Sequence, residues 1–139
     1  MGEAFRELAR KTGDSEKITI NLGYVDLGRI DLMVQDGFYA NRTDFIRSAI
    51  RNQIQHHSDA VTRSVSNKNL DLGLRNLSRE ELESAKAAGG MLHIRVLGLV
   101  RIAEDVSAEL ALATIASVHV LGALHASPSV KAALSERIA

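Results

Sequence analysis

The 139-residue chain has no cysteine, no tryptophan, one proline and few aromatic residues. Without cysteine it has no disulfides, no thiolate metal ligands and no cysteine nucleophile. It also lacks a charge of one sign: seventeen Lys and Arg are matched by seventeen Asp and Glu. Bulk electrostatics therefore point to neither nucleic acid nor a membrane surface. No apolar run approaches the roughly 18 residues of a membrane span. The start, MGEAFRELARK, lacks the apolar core of a signal peptide, and Phe5 and Arg6 fill the place where a myristoylation signal needs a small hydroxyl residue. These absences lead us to expect a cytoplasmic protein. What remains, 45% apolar and 24% charged, is ordinary for a folded chain and argues against wholesale disorder.

Charge is slightly uneven along the chain. Residues 1–79 hold twelve basic and ten acidic side chains, and residues 80–139 hold five and seven. That asymmetry is too small to argue DNA binding, so any such argument has to come from geometry.

The pattern divides the chain into an N-terminal arm or short helix (1–15), a first folded segment (16–58), a linker (59–69) and a C-terminal α/β segment (70–139). In the arm, Phe5, Leu8 and Ala9 share a helical face before Gly13-Asp14-Ser15 breaks it. Lys17-Ile18-Thr19-Ile20-Asn21-Leu22 alternates polar and apolar residues, as a strand with one buried face does. From Asp26 to Asp36, Leu27, Ile30 and Val34 follow helical spacing, and Gly37 is placed as a left-handed cap. Asn41-Arg42-Thr43-Asp44 then reads as an N-cap and near capping box. The helix it opens carries Phe45, Ile46, Ala49, Ile50 and Ile54 on one face and fades near His56-His57-Ser58.

Some forty residues with one strand and two helices cannot bury enough surface to fold alone, and a lone strand leaves both edges unpaired. Both problems vanish if two chains pair their strands antiparallel and pack four helices together. The alternating strand, the Gly37-Phe38-Tyr39 turn and the run Asn41 to Arg51 closely resemble the ribbon-helix-helix family of the Arc, MetJ and CopG type, over about residues 17–55. The resemblance implies an intertwined homodimer and an α+β fold. It also implies a partner, double-stranded DNA, bound by a transcriptional regulator (a repressor) in the bacterial nucleoid. With Ile18, Ile20 and Leu22 facing the helices, Lys17, Thr19 and Asn21 face outward, where a two-stranded ribbon reads bases in the major groove. In the family the amino end of the second helix rests on the DNA backbone, which implies phosphate contacts for Asn41, Arg42 and Thr43. Two departures stand out. Gly23 occupies a place where the family commonly has proline, and the outward triplet is less basic than many family ribbons.

Beyond the linker, Leu70–Arg75 reads as a strand, and Ser78 with Glu81 as a capping box for a helix that stops at Gly89-Gly90. Residues from Ile94 onward then align with those from Val118 onward. The repeat holds through Val106 with Val130 and Leu110 with Leu134. Each copy reads as an extended segment bent or bulged at Leu-Gly (Gly98, Gly122), then a short helix capped by Ser107 or by Ser127 with Pro128. An unsupported apolar repeat suggests an assembly interface, giving oligomers beyond the dimer, more than a ligand sensor. His56-His57 suits a helix C-terminus better than a metal pair, and His93, His119 and His125 suit solvent-facing strand positions. No metal site, cofactor or catalytic constellation is expected, and the chain is not expected to be an enzyme. Two alternatives remain: an antitoxin with a toxin partner, and a scaffold whose ribbon-helix-helix only dimerises.

Overall fold

A computed structural model describes residues 15–139, so the helix expected within residues 1–12 lies outside the described residues. The chain forms two compact units that divide between Val61 and Thr62. Helices and strands are mixed, giving an α+β protein, as its sequence patterns suggest.

In the first unit, residues 16–23 form no helix and no ladder within the chain. The expected strand thus has no pairing partner among the described residues. Helix α1 spans Tyr24–Gln35 behind Gly23, its N-cap, which provides no side-chain hydrogen bond. Gly37 takes φ +86 and its N–H reaches the Val34 carbonyl, while Phe38 N–H reaches that of Met33. This is the left-handed glycine stop that the sequence suggests. Helix α2 spans Arg42–His56, with the Asn41 side chain accepting from Asp44 N–H.

Residues 58–69 are not the irregular linker that their polar composition suggests. Helix α3 covers Ser58–Asn67. It begins one residue after α2, and Val61 N–H donates to the His57 carbonyl, so helical geometry is handed on almost without interruption. It ends in a sharp device: Asn69 adopts φ 51, Asn69 N–H bonds the Ser66 carbonyl and Leu70 N–H that of Val65. Asn is the residue after Gly that best tolerates this left-handed position.

The second unit alternates strand and helix: β1 (Asp71–Leu77), α4 (Arg79–Ala87), β2 (Leu92–Ile102), α5 (Ala108–Thr114), β3 (Ile115–His125) and α6 (Pro128–Ala133). The strands are parallel in the order β1-β2-β3. Ser78, Ser107 and Ser127 each cap the following helix by accepting the N–H three residues on. Leu82, Val130 and Leu134 from the helical side pack with Ile94, Val96, Val100, Ile102 and Val118 into one core. The helices therefore cover one face of the sheet. On the other face Leu72, Leu74 and Leu121 are exposed.

The duplicated segments are neighbours in register, from Ile94 beside Val118 to Arg101 beside His125. A third copy, not singled out in the sequence, precedes them, because Leu72-Gly73-Leu74 pairs with Leu97-Gly98-Leu99. Gly98 and Gly122 are not bulges, since pairing runs through them unbroken and the only register shift falls at Leu92/His93. They mark close approach of backbones instead. A Cβ on Gly98 would stand 2.2 Å from the Gly73 carbonyl oxygen, and one on Gly122 would stand 2.0 Å from that of Gly98. The glycines at 73, 98 and 122 all take positive φ, 109°, 142° and 128°. The C-terminal residues bind the outer edge of β3, where Val118 N–H donates to the Arg137 carbonyl and Ala139 N–H to that of Val118.

Candidate nucleic-acid interface

All six residues of the 17–22 segment are exposed, and what separates the two parities is which of them line a groove. Lys17, Thr19 and Asn21 are exposed. Ile20 and Leu22, from the opposite parity, line an apolar groove of about 410 Å³ with Ile30, Phe45, Ile46 and Ile50. Ile18 and Ile20 nonetheless keep 73% and 56% of their surface exposed, and Ile50 and Ile54 are exposed on α2. Leaving that many large aliphatic side chains in water is the mark of a surface that another chain covers.

At the amino end of α2, Asn41 Oδ1 accepts from Asp44 N–H at 2.8 Å, and Asp44 Oδ2 accepts from Ala40 N–H at 2.9 Å. This reciprocal pair fixes the turn, and the edge-to-face contact of Tyr39 on Phe45, centroids 5.0 Å apart, holds it against the helix. Asn41, Arg42 and Thr43 are all exposed there.

Arg42 has a further role that its place in the motif does not reveal. Its Nε and Nη2 donate to Oδ1 and Oδ2 of Asp31, both at 2.7 Å, in a two-pronged pair that ties α2 to α1. The hydrogen bonds from Arg42 lower the Asp31 carboxyl below the ordinary carboxylate range, and Asp31 raises the guanidinium in return. Both side chains remain about half exposed, so the pair is an orienting contact rather than a large source of stability. No signal in the sequence marks Asp31, which lies eleven residues upstream on another helix.

The remaining histidines fall where strand and helix ends place them. His56 and His57 stack edge to face, with His57 Nε2 3.3 Å from Gln53 Nε2. His93 Nδ1 lies 2.9 Å from Ser117 Oγ on the neighbouring strand, on the sheet face opposite the helices. Among the described residues no three His, Cys, Asp or Glu side chains gather as a metal site, and no helix is long and apolar enough to cross a membrane.

An alternating segment unpaired among the described residues, two helices joined by a glycine turn and an open apolar groove make up the N-terminal unit. The chain matches the model of the Ribbon-Helix-Helix transcriptional regulator family over residues 13–131, and it belongs to that family. Membership carries DNA binding and dimerisation as general family properties. The match runs well past residue 55, so the strand-helix repeats belong to the family pattern too. No curated protein and no solved structure matches the chain.

Proposed function

We propose that this protein is a sequence-specific DNA-binding repressor that reads the major groove with a ribbon built from residues 17–22 of two copies. The observation that carries the reading is the parity of that segment. Ile20 and Leu22, though still exposed, line the helical groove, and Lys17, Thr19 and Asn21 do not. Asn suits adenine, Thr a thymine methyl or base edge, and Lys guanine. Two copies related by a two-fold axis read inverted half-sites. The N-terminal N–H groups of α2, flanked by Asn41, Arg42 and Thr43, suit a phosphate that fixes the ribbon's register.

The antitoxin alternative rests on a tail that orders on its partner. Residues 62–139 have a core of their own, which favours the regulator. Selection of bound duplexes from a randomised DNA pool tests the proposal. The expected result is enrichment of an inverted repeat. A bound fraction as random as the starting pool overturns it.

A further inference from the structure

Strand β1 is an open edge. Its inner side pairs with β2, and no described strand lies on its outer side. The opposite edge of the sheet differs, because the C-terminal residues bind β3 at Val118. Stacked repeat units need their end units capped, and β1 carries no proline, no lysine and no bulge; its edge defence is the charge of Asp71 and Arg75, which a second strand can satisfy. It also exposes two large apolar residues, Leu72 at 68% and Leu74 at 52%.

The sequence of that edge is complementary to itself. In an antiparallel copy of Asp71-Leu72-Gly73-Leu74-Arg75 centred on Gly73, Asp71 stands opposite Arg75 and Leu72 opposite Leu74, with Gly73 opposite Gly73. The faces agree. Asp71 and Arg75 are in register with Val96 and Val100, on the side the helices cover, whereas Leu72 and Leu74 are in register with Leu97 and Leu99, on the bare side. The centring thus sets carboxylate against guanidinium on one face and leucine against leucine on the other, twice about a two-fold axis. Arg75 already holds Glu81 Oε1 through Nη2 at 2.6 Å, which leaves it donors to offer a second carboxylate.

We infer that the β1 strands of the two chains in a dimer pair antiparallel through this Asp-Leu-Gly-Leu-Arg edge, joining two three-stranded sheets into one of six. Two-strand pairing alone is marginal in water. Here the family's dimerisation brings both copies onto one particle, and only fourteen residues (57–70) separate α2 from β1. Ten of those residues form α3, so the second edge is carried on the same particle on a short arm rather than free in solution. The occupant is therefore the sister chain, not another dimer.

The absence of native cysteine allows a clean test in the full chain. Leu72→Cys/Leu74→Cys is oxidised mildly. The pairing predicts a covalent species of dimer mass, formed to the same extent across a wide range of protein concentration. Adding Asp71→Lys slows its formation roughly tenfold, because like charges then face each other. Leu121→Cys, on β3, stays uncrosslinked. Ladders beyond the dimer, no crosslink, or crosslinking through Leu121 instead would overturn the inference. Residue-resolved amide exchange on the unmodified protein serves if the double variant does not fold. Slow exchange at every amide of residues 71–75 supports the pairing, and fast exchange at alternate amides there defeats it. Neither readout involves DNA, so failure here is separate from failure of the repressor reading.

Discussion

Asp31 and Arg42 show how one contact bears on both stability and binding. The carboxylate holds the guanidinium at the amino end of α2, in the place where the family pattern puts a phosphate ligand. Asp31→Asn is expected to release Arg42, one copy per chain, and to strengthen binding to random DNA. The salt dependence should steepen by about 2 on a log–log plot, near one counterion per freed cation. An unchanged slope would mean that Arg42 stays out of reach of the backbone. The same pair makes a pH prediction with a definite sign. The Asp31 pKa is depressed in the folded chain, so its contribution is complete above the ordinary carboxylate range and is lost as pH falls through the depressed value. Acid unfolding curves of the two proteins should therefore differ above that range and converge below it. The parity that sets Lys17, Thr19 and Asn21 apart from Ile18, Ile20 and Leu22 can be read from the sequence because alternation is local. Asp31 is not, because its partner lies a helix away and nothing in either helix's own pattern requires the contact.

The glycine row decides whether the sheet can form. Gly98→Ala meets the Gly73 carbonyl oxygen and Gly122→Ala meets that of Gly98, both on backbone that cannot move aside, and both from a positive φ. Each is expected to cost about 3 kcal/mol or more, measured by denaturant unfolding. Gly90→Ala, with no neighbour within 4 Å, should stay close to the unmodified protein. Equal stability for all three would contradict the close-packed row. Helix caps are the elements most legible in the sequence, since Asn41, Ser78, Ser107 and Ser127 each act through a bond three residues long. The α3 helix is hidden because Ser, Thr and Asn dominate it and Val61 and Val65 supply only a thin apolar stripe. The third repeat is hidden by spacing. Gly73 and Gly122 each precede a capping serine by five residues, whereas Gly98 precedes Ser107 by nine, so only the shared register of the strands shows all three copies.

On the scale of the whole molecule, the two units solve different problems. Residues 62–139 own a core, and residues 16–57 have only half of one, with Ile18, Ile20, Ile50 and Ile54 left in water. Folding of the first unit should therefore depend on association. Its thermal midpoint is expected to rise with protein concentration, and a concentration-independent midpoint with a monomer mass would refute the two-chain ribbon. The need for a second chain can be read from the sequence, because one strand and two helices cannot close. Most of the parallel order of the C-terminal sheet cannot, since strand order depends on contacts between distant segments. The claim on which the functional account rests is that the ribbon reads bases. Binding of the unmodified protein and of Asn21→Ala should be measured on the selected inverted repeat and on a scrambled duplex, at one salt concentration. The account predicts a loss of about 1–3 kcal/mol per missing base contact on the inverted repeat and almost none on the scrambled duplex. Equal losses on both would show that Asn21 does not read sequence, and would contradict the account.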